Sequence, residues 1–300
     1  ALLRRACLMD HIPSCERYLT RQSGLPEEAR PQELYDVLEP RCSKQNDAAS
    51  CAHLGILFHR KSLETNAKSL AAGFYKRGCI KGSAFACHVL GNMTKNGEGT
   101  ARSISKAIAL FATACEGDLP EGCRNAGVSI HEAGNSTAAA PYFERACELG
   151  EPDSCHYLGV LLELGVGVKQ DIRRATSLHQ TSCAQGVARG CFSLGLMYWQ
   201  GLGVKASIEE ATALFTLACK HGDALGCRNM GNLAVQGLGV PQDNEAATRY
   251  YEKGCRLGDG QSCYNLAQMW AARNVDRERV DELRAMACVK GYERACPQNR

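Results

Sequence analysis

Eighteen of the 300 residues are cysteines, and no other side chains here are so numerous and so regularly spaced for chemistry. They form nine pairs: Cys7/Cys15, Cys42/Cys51, Cys79/Cys87, Cys115/Cys123, Cys147/Cys155, Cys183/Cys191, Cys219/Cys227, Cys255/Cys263 and Cys288/Cys296. Eight pairs read C-x7-C, and Cys42/Cys51 has one residue more. Disulfides, metal ligation and redox catalysis all use cysteine this densely. Zinc knuckles, thioredoxin-like sites and c-type haem attachment are built on C-x2-C, and the sequence contains no such spacing. The expectation is one structural disulfide within each pair, with metal and redox chemistry as the lesser alternatives. Disulfides in turn point to an oxidising compartment: secreted, periplasmic or the mitochondrial intermembrane space.

The pairs dictate what must hold them. An unbroken helix would put residues i and i+8 about 12 Å apart. A bridge needs Cα atoms at about 4.4–6.8 Å. The chain must therefore reverse between the two cysteines. Glycine follows the first cysteine by three residues at Gly82, Gly150, Gly186, Gly222, Gly258 and Gly291, where it can end one helix. Ser83, Asp118, Asp223 and Asp259 are predicted to cap the next. Loop closure alone gives about 2.6 kcal/mol per bridge.

The second cysteines recur every 36 residues in six of eight steps. A period in the thirties is the signature of a helical solenoid. Small-residue steps repeat in phase, as in Leu158-Gly159 and Leu194-Gly195, followed by Gly-x-Gly turns at Gly97/Gly99, Gly165/Gly167, Gly201/Gly203 and Gly237/Gly239. Each unit reads as helix A, glycine turn, helix B. On helix A the apolar stripe runs i, i+3, i+4, i+7, as in Cys155, Leu158, Gly159, Leu162. Helix B is predicted over Ile208 to Lys220, with Ala211, Leu214, Phe215 and Ala218 facing inward.

Composition agrees. Hydrophobic residues make up 45% of the chain, enough for a core, while 35 basic against 32 acidic residues argue against nucleic acid as the default partner. No apolar run reaches the ~18–20 residues of a membrane span. The best stretch, 157–168, includes Glu163 and three glycines. A chain that begins at Ala1 is compatible with a removed leader.

The unit 188–227, ARGCFSLGLMYWQGLGVKASIEEATALFTLACKHGDALGC, resembles the Sel-1-like repeat family in its LG step, G-x-G-V turn and A-C-x-x-G ending. The resemblance is fullest over 46–291. It departs at 58–66, at 131–136 and after Trp270, where the G-x-G turn is missing, and at Ala267, which stands for Gly. It implies an all-α, tetratricopeptide-like fold: a right-handed α/α superhelical solenoid of about eight disulfide-tied hairpins, single over 1–300. Residues 1–45 would be a capping half-unit and divergent first hairpin, 46–291 the regular repeats and 292–300 a tail.

The paired-cysteine pattern is similar to that of two groups within the family. One consists of mitochondrial intermembrane-space factors that assemble cytochrome c oxidase; the other, of secreted or periplasmic bacterial cysteine-rich proteins linked to host, cell-wall and β-lactam interactions. The first implies a non-catalytic scaffold whose protein partners are subunits of a membrane respiratory complex, and it is the preferred expectation. The second is the alternative. No cofactor is expected, although the mitochondrial resemblance leaves room for haem near His53 and His59.

Helix A lines the concave face of such solenoids. Positions +1, +5 and +8 from the second cysteine share one side of helix A. The expected partner-binding residues on it are His88, Arg124, His156, Phe192, Leu196, Trp199, Arg228 and Tyr264. Phe192, Leu196 and Trp199 make the strongest apolar patch.

Other motifs have plain readings. Ser103-x-x-Lys106 has the spacing of a penicillin-binding nucleophile, but about one such match arises by chance in a chain this long. The companion K-T-G and S-D-N motifs are absent, so no catalytic residue is expected. His88 and His156 occupy equivalent places two repeats apart, too far to share a metal, so no metal site is expected. The sequons at Asn92 and Asn135 matter only in a secretory pathway.

Overall fold

Amphipathic segments of thirteen or fourteen residues, most of them bounded by glycine or a polar cap, build this molecule as paired helices. The computed structural model describes residues 31–60, 66–273 and 277–296. Among these residues there are fifteen α-helices and no strand. They are α1 (Pro31–Ser43), α2 (Ala48–Arg60), α3 (Ala67–Ile80), α4 (Ala84–Asn96), α5 (Ile104–Glu116), α6 (Pro120–Glu132), α7 (Ser136–Glu148), α8 (Pro152–Leu164), α9 (Ile172–Ala184), α10 (Ala188–Gln200), α11 (Ile208–Lys220), α12 (Ala224–Gln236), α13 (Asn244–Arg256), α14 (Gly260–Ala272) and α15 (Arg277–Val289). A short 3-10 turn, Glu293–Ala295, follows. No helix among the described residues is long and apolar enough to cross a membrane.

The chain divides into two compact units, Ala1–Glu151 and Pro152–Arg300. In the first, α2, α4 and α6 are A helices and α3, α5 and α7 their B partners, with α1 packed on α2. In the second, α8, α10, α12 and α14 alternate with α9, α11, α13 and α15. Each A helix packs on the B helix that follows it.

The turns explain the termini. After α10, Gly201 takes φ 71°, and its N–H reaches Met197 O; a side chain there would be strained. Ser103, Asp171, Ser207 and Asp243 then cap the B helices. Ser83, Asp223 and Asp259 cap A helices as predicted. Asp118 does not. Leu119 holds the N-cap position of α6, while Asp118 adopts φ 55°, the left-handed state an Asp tolerates, and pairs with Arg145.

The core is a repeated meeting of ring and glycine. Tyr75, Phe111, Phe143, Phe215 and Tyr251 of the B helices are buried. A Cβ on Gly55, Gly91, Gly127, Gly195 or Gly231 would fall 2.5–2.8 Å from those rings. Helix A carries glycine there because the neighbouring ring needs the space. Residue 267 is Ala, and the corresponding B-helix position, four before Cys288, is Arg284 rather than a ring.

Within each unit, bridges join the end of one helix to the start of the next, and the last ties α15 to the residue that follows the 3-10 turn. Cys42–Cys51, Cys79–Cys87 and Cys115–Cys123 lie in the first unit. Cys183–Cys191, Cys219–Cys227, Cys255–Cys263 and Cys288–Cys296 lie in the second. Their Cα separations of 4.4–4.8 Å fit the reversal that the spacing demanded. Cys147 and Cys155 are also disulfide-bonded. Cys7, Cys15 and most of the expected capping segment lie outside the described residues.

Candidate functional site

A cavity of about 280 Å³ opens on the second unit between α10 and α12. It lies between two successive A helices, where Leu196 and Asn232 occupy the same +5 repeat position. Leu196 and Trp199 come from α10, with Gln200 at its end. Asn229, Asn232, Leu233 and Gln236 come from α12, and Phe215 of α11 supplies the floor. Trp199 is 40% exposed, an unusual state for so large an apolar side chain. None of the lining residues is ionisable. The site therefore offers an aromatic face and floor, two leucines and four carboxamides, each carboxamide able to donate and accept hydrogen bonds.

The other predicted surface residues are placed differently from one another. Phe192 is half-buried, its ring 5.8 Å from that of Phe215, so it supports the cavity from below. Arg228 is tied to Asp259 at 2.8 Å. The Tyr264 ring packs at a tilt against that of Tyr292, with centroids 5.1 Å apart, and its hydroxyl accepts from Gln268 at 2.7 Å. In the first unit, Arg124 faces Glu151 at 3.3 Å. His88 is only 6% exposed and sits 5.8 Å from the Phe111 ring. Of the wider predicted face, Ala52 and Ile56 are buried too. The +1 position abuts the ring of its own helix B, so it is half core.

Burial also governs the histidines. His53 and His88 are pushed down to about 4, because desolvation disfavours the imidazolium. Nearby Asp47 opposes this at His53. At His88, Glu121 opposes it and Arg124 adds to it. His156 is likewise held near 4, by burial first and then by His179 and Arg189, against Glu163. His179 is fully buried.

Sequence reasoning missed the carboxamides at +2. Asn125 donates to Asn92 Oδ1 at 3.1 Å, and Asn265 donates to Asn232 Oδ1 at 3.4 Å. Their signal was present: Asn125, Asn229 and Asn265 all stand two residues after a second cysteine.

The remaining motifs take structural places. Ser103 Oγ accepts from the Lys106 backbone N–H at 3.4 Å as the cap of α5, and the Lys106 side chain is exposed. Asn135 caps α7, and Asn92 is half-buried on α4. Among the described residues, no group of three or more His, Cys, Asp or Glu side chains is arranged to hold a metal ion.

Comparison with protein families matches the Sel1 repeat at residues 84–119, 121–151, 152–187, 188–223 and 224–259. Cytochrome c oxidase assembly factor 7 of Xenopus tropicalis is 28% identical over 154 residues, covering 47% of this chain and 66% of that protein. A protective antigen of uropathogenic Escherichia coli strains, described as displaying an SLR fold, superposes with a TM-score of 0.77. It is 22% identical, and the match covers 93% of this chain and 61% of that one. A Sel1 repeat protein from Oxalobacter formigenes superposes at 0.76 with 22% identity, covering 98% and 87%. The chain thus spans less than two thirds of the length of the assembly factor and of the antigen. These likenesses establish an all-α solenoid of helical hairpins.

Proposed function

This chain belongs to the Sel1 repeat family, and we propose from that premise that it is a non-catalytic protein-binding scaffold of an oxidising compartment. The observation that supports binding most directly is Trp199, exposed over an uncharged cavity. Exposed aromatics set in a pocket of mixed polarity are the usual energetic centres of protein interfaces. Seven described bridges, with Cys147 and Cys155 also bonded, support the compartment.

Within that role, the proposal is a mitochondrial intermembrane-space factor serving the assembly of cytochrome c oxidase. It rests on the paired-cysteine repeats together with the similarity to the Xenopus tropicalis assembly factor. Subunits of a membrane respiratory complex would then be the partners.

The test is localisation and co-purification of a tagged chain in its source cells. The proposal expects protease protection in intact mitochondria, exposure once the outer membrane is ruptured, and recovery with cytochrome c oxidase subunits. Recovery from the medium or a periplasm would replace it with the secreted reading.

A further inference from the structure

In six successive repeats, a helix-A glycine receives a side chain from helix B, and five of those side chains are Tyr or Phe. The sixth is His179, whose Cε1 would lie 2.7 Å from a Cβ on Gly159. The ring at +1 on helix A packs beside this position. In the next repeat the pair is Phe192 and Phe215, with centroids 5.8 Å apart. In 152–187 it is His156 and His179, with centroids 5.2 Å apart. Packing alone is therefore met by two phenylalanines, and the imidazoles add nitrogen donors.

Those donors are aimed at one another. His156 Nδ1 lies 3.3 Å from His179 Nδ1. His179 is fully buried, its Nε2 has no hydrogen-bond partner, and Glu163 Oε2 stands 3.5 Å from that atom. Glu163 and His156 share one side of α8, two helical turns apart. A proton on His179 Nε2 facing Glu163 leaves Nδ1 with its lone pair toward His156.

We propose that His156 and His179 form a two-imidazole site for a zinc-class divalent cation, with Glu163 as the outer-shell carboxylate that orients His179. Zinc–nitrogen bonds of about 2.05 Å would span a 3.3 Å nitrogen separation at an angle of about 107°, close to tetrahedral. Imidazole is a donor suited to zinc, copper and nickel. A carboxylate behind a ligating histidine fixes its tautomer and strengthens it as a ligand. Thiolates, the usual rivals for such ions, are tied up, since no described cysteine is free. His156 is only half-buried, which gives an ion a way in from the His156 side. This site stands apart from the Trp199 cavity and from the partner-binding proposal.

The experiment is calorimetric titration of the chelator-treated, untagged full chain with Zn2+, supported by Co2+ absorption spectra. The expected result is one saturable site per chain and tetrahedral cobalt bands. Both should be lost in His179→Phe and in the double variant His156→Phe/His179→Phe, which copy the Phe192/Phe215 arrangement and so should fold. Glu163→Gln should weaken binding by about 10–100-fold. His88→Phe, in the other unit, should leave it unchanged. Absence of saturable binding in the wild type, or equal binding by the double variant with native circular dichroism, would overturn the proposal and leave a hydrogen-bonded histidine pair.

Discussion

Gly195 and Phe215 meet so closely that a Cβ on the glycine would sit 2.8 Å from two carbons of the ring. Real Cβ atoms do not approach that near, so either the ring or helix α10 would have to move. Gly195→Ala is expected to destabilise the second unit by about 1–3 kcal/mol through overpacking, despite alanine's helix-propensity advantage of about 1 kcal/mol. Ala267 is the natural contrast. Its register partner is Arg284, so Ala267→Gly should cost about 1 kcal/mol as an ordinary helix-interior glycine. Urea unfolding of both variants checks the opposite signs of the two alanine effects.

Disulfide stability should be local. Cys183→Ser removes the bridge between α9 and α10 and leaves Cys191 without its partner. The expected cost is about 2–4 kcal/mol, expressed as new protease cleavage near residues 184–190 rather than loss of the whole fold. Stacked repeats contact mainly their neighbours, so full reduction should broaden thermal unfolding. An unchanged cleavage pattern in Cys183→Ser would show that the bridge does not hold this joint.

Acid should weaken the first unit through His53 and His88. Both are held near 4 in the folded chain, against the usual 6.5. The unfolded chain therefore binds more protons between those values, and stability falls as pH drops from about 6.5 to about 4. Above 6.5 and below 4 these two groups add no slope. His88→Phe, which copies the ring that Phe192 places at the same repeat position, should flatten part of that decline. Urea midpoints at about pH 7.5 and about pH 4.5 read the difference. Identical pH dependence in wild type and variant would contradict the assignment.

Much of this architecture was legible because its causes are local and periodic. Helix α11 begins at Ile208 and ends at Lys220, where the apolar spacing and the cysteine–glycine stop put it. The bridges followed from the same phase. The surface was less legible, because its burial is set between helices. His88 at +1 reads as exposed on a helical wheel, yet the Phe111 ring covers it. Trp199 at +8 lies beyond the reach of helix B and stays open. Asp118 reads as a cap from its type, but it occupies the left-handed position that Gly82 and Gly186 hold elsewhere. His179 was readable in principle: it stands four residues before a first cysteine, where Phe111, Phe143 and Phe215 mark a ring position.

The cavity's neutrality has its own consequence. With Gln200, Asn229, Asn232 and Gln236 as its polar groups, binding there should depend weakly on salt, since no charge pair is screened. Raising salt from about 0.05 to about 0.5 M is expected to change affinity by less than about threefold. A steep loss would move the contact to charged residues outside the cavity.

Docking of a protein partner in this cavity is the central claim, and Trp199 is its most direct probe. The measurement is the affinity of a purified partner, once one is recovered, for wild type and for Trp199→Ala by titration calorimetry. Truncating a central aromatic typically costs about 2 kcal/mol or more. The predicted result is therefore a Kd weakened by at least about tenfold with unchanged helical circular dichroism. Equal affinity in the folded variant would contradict it.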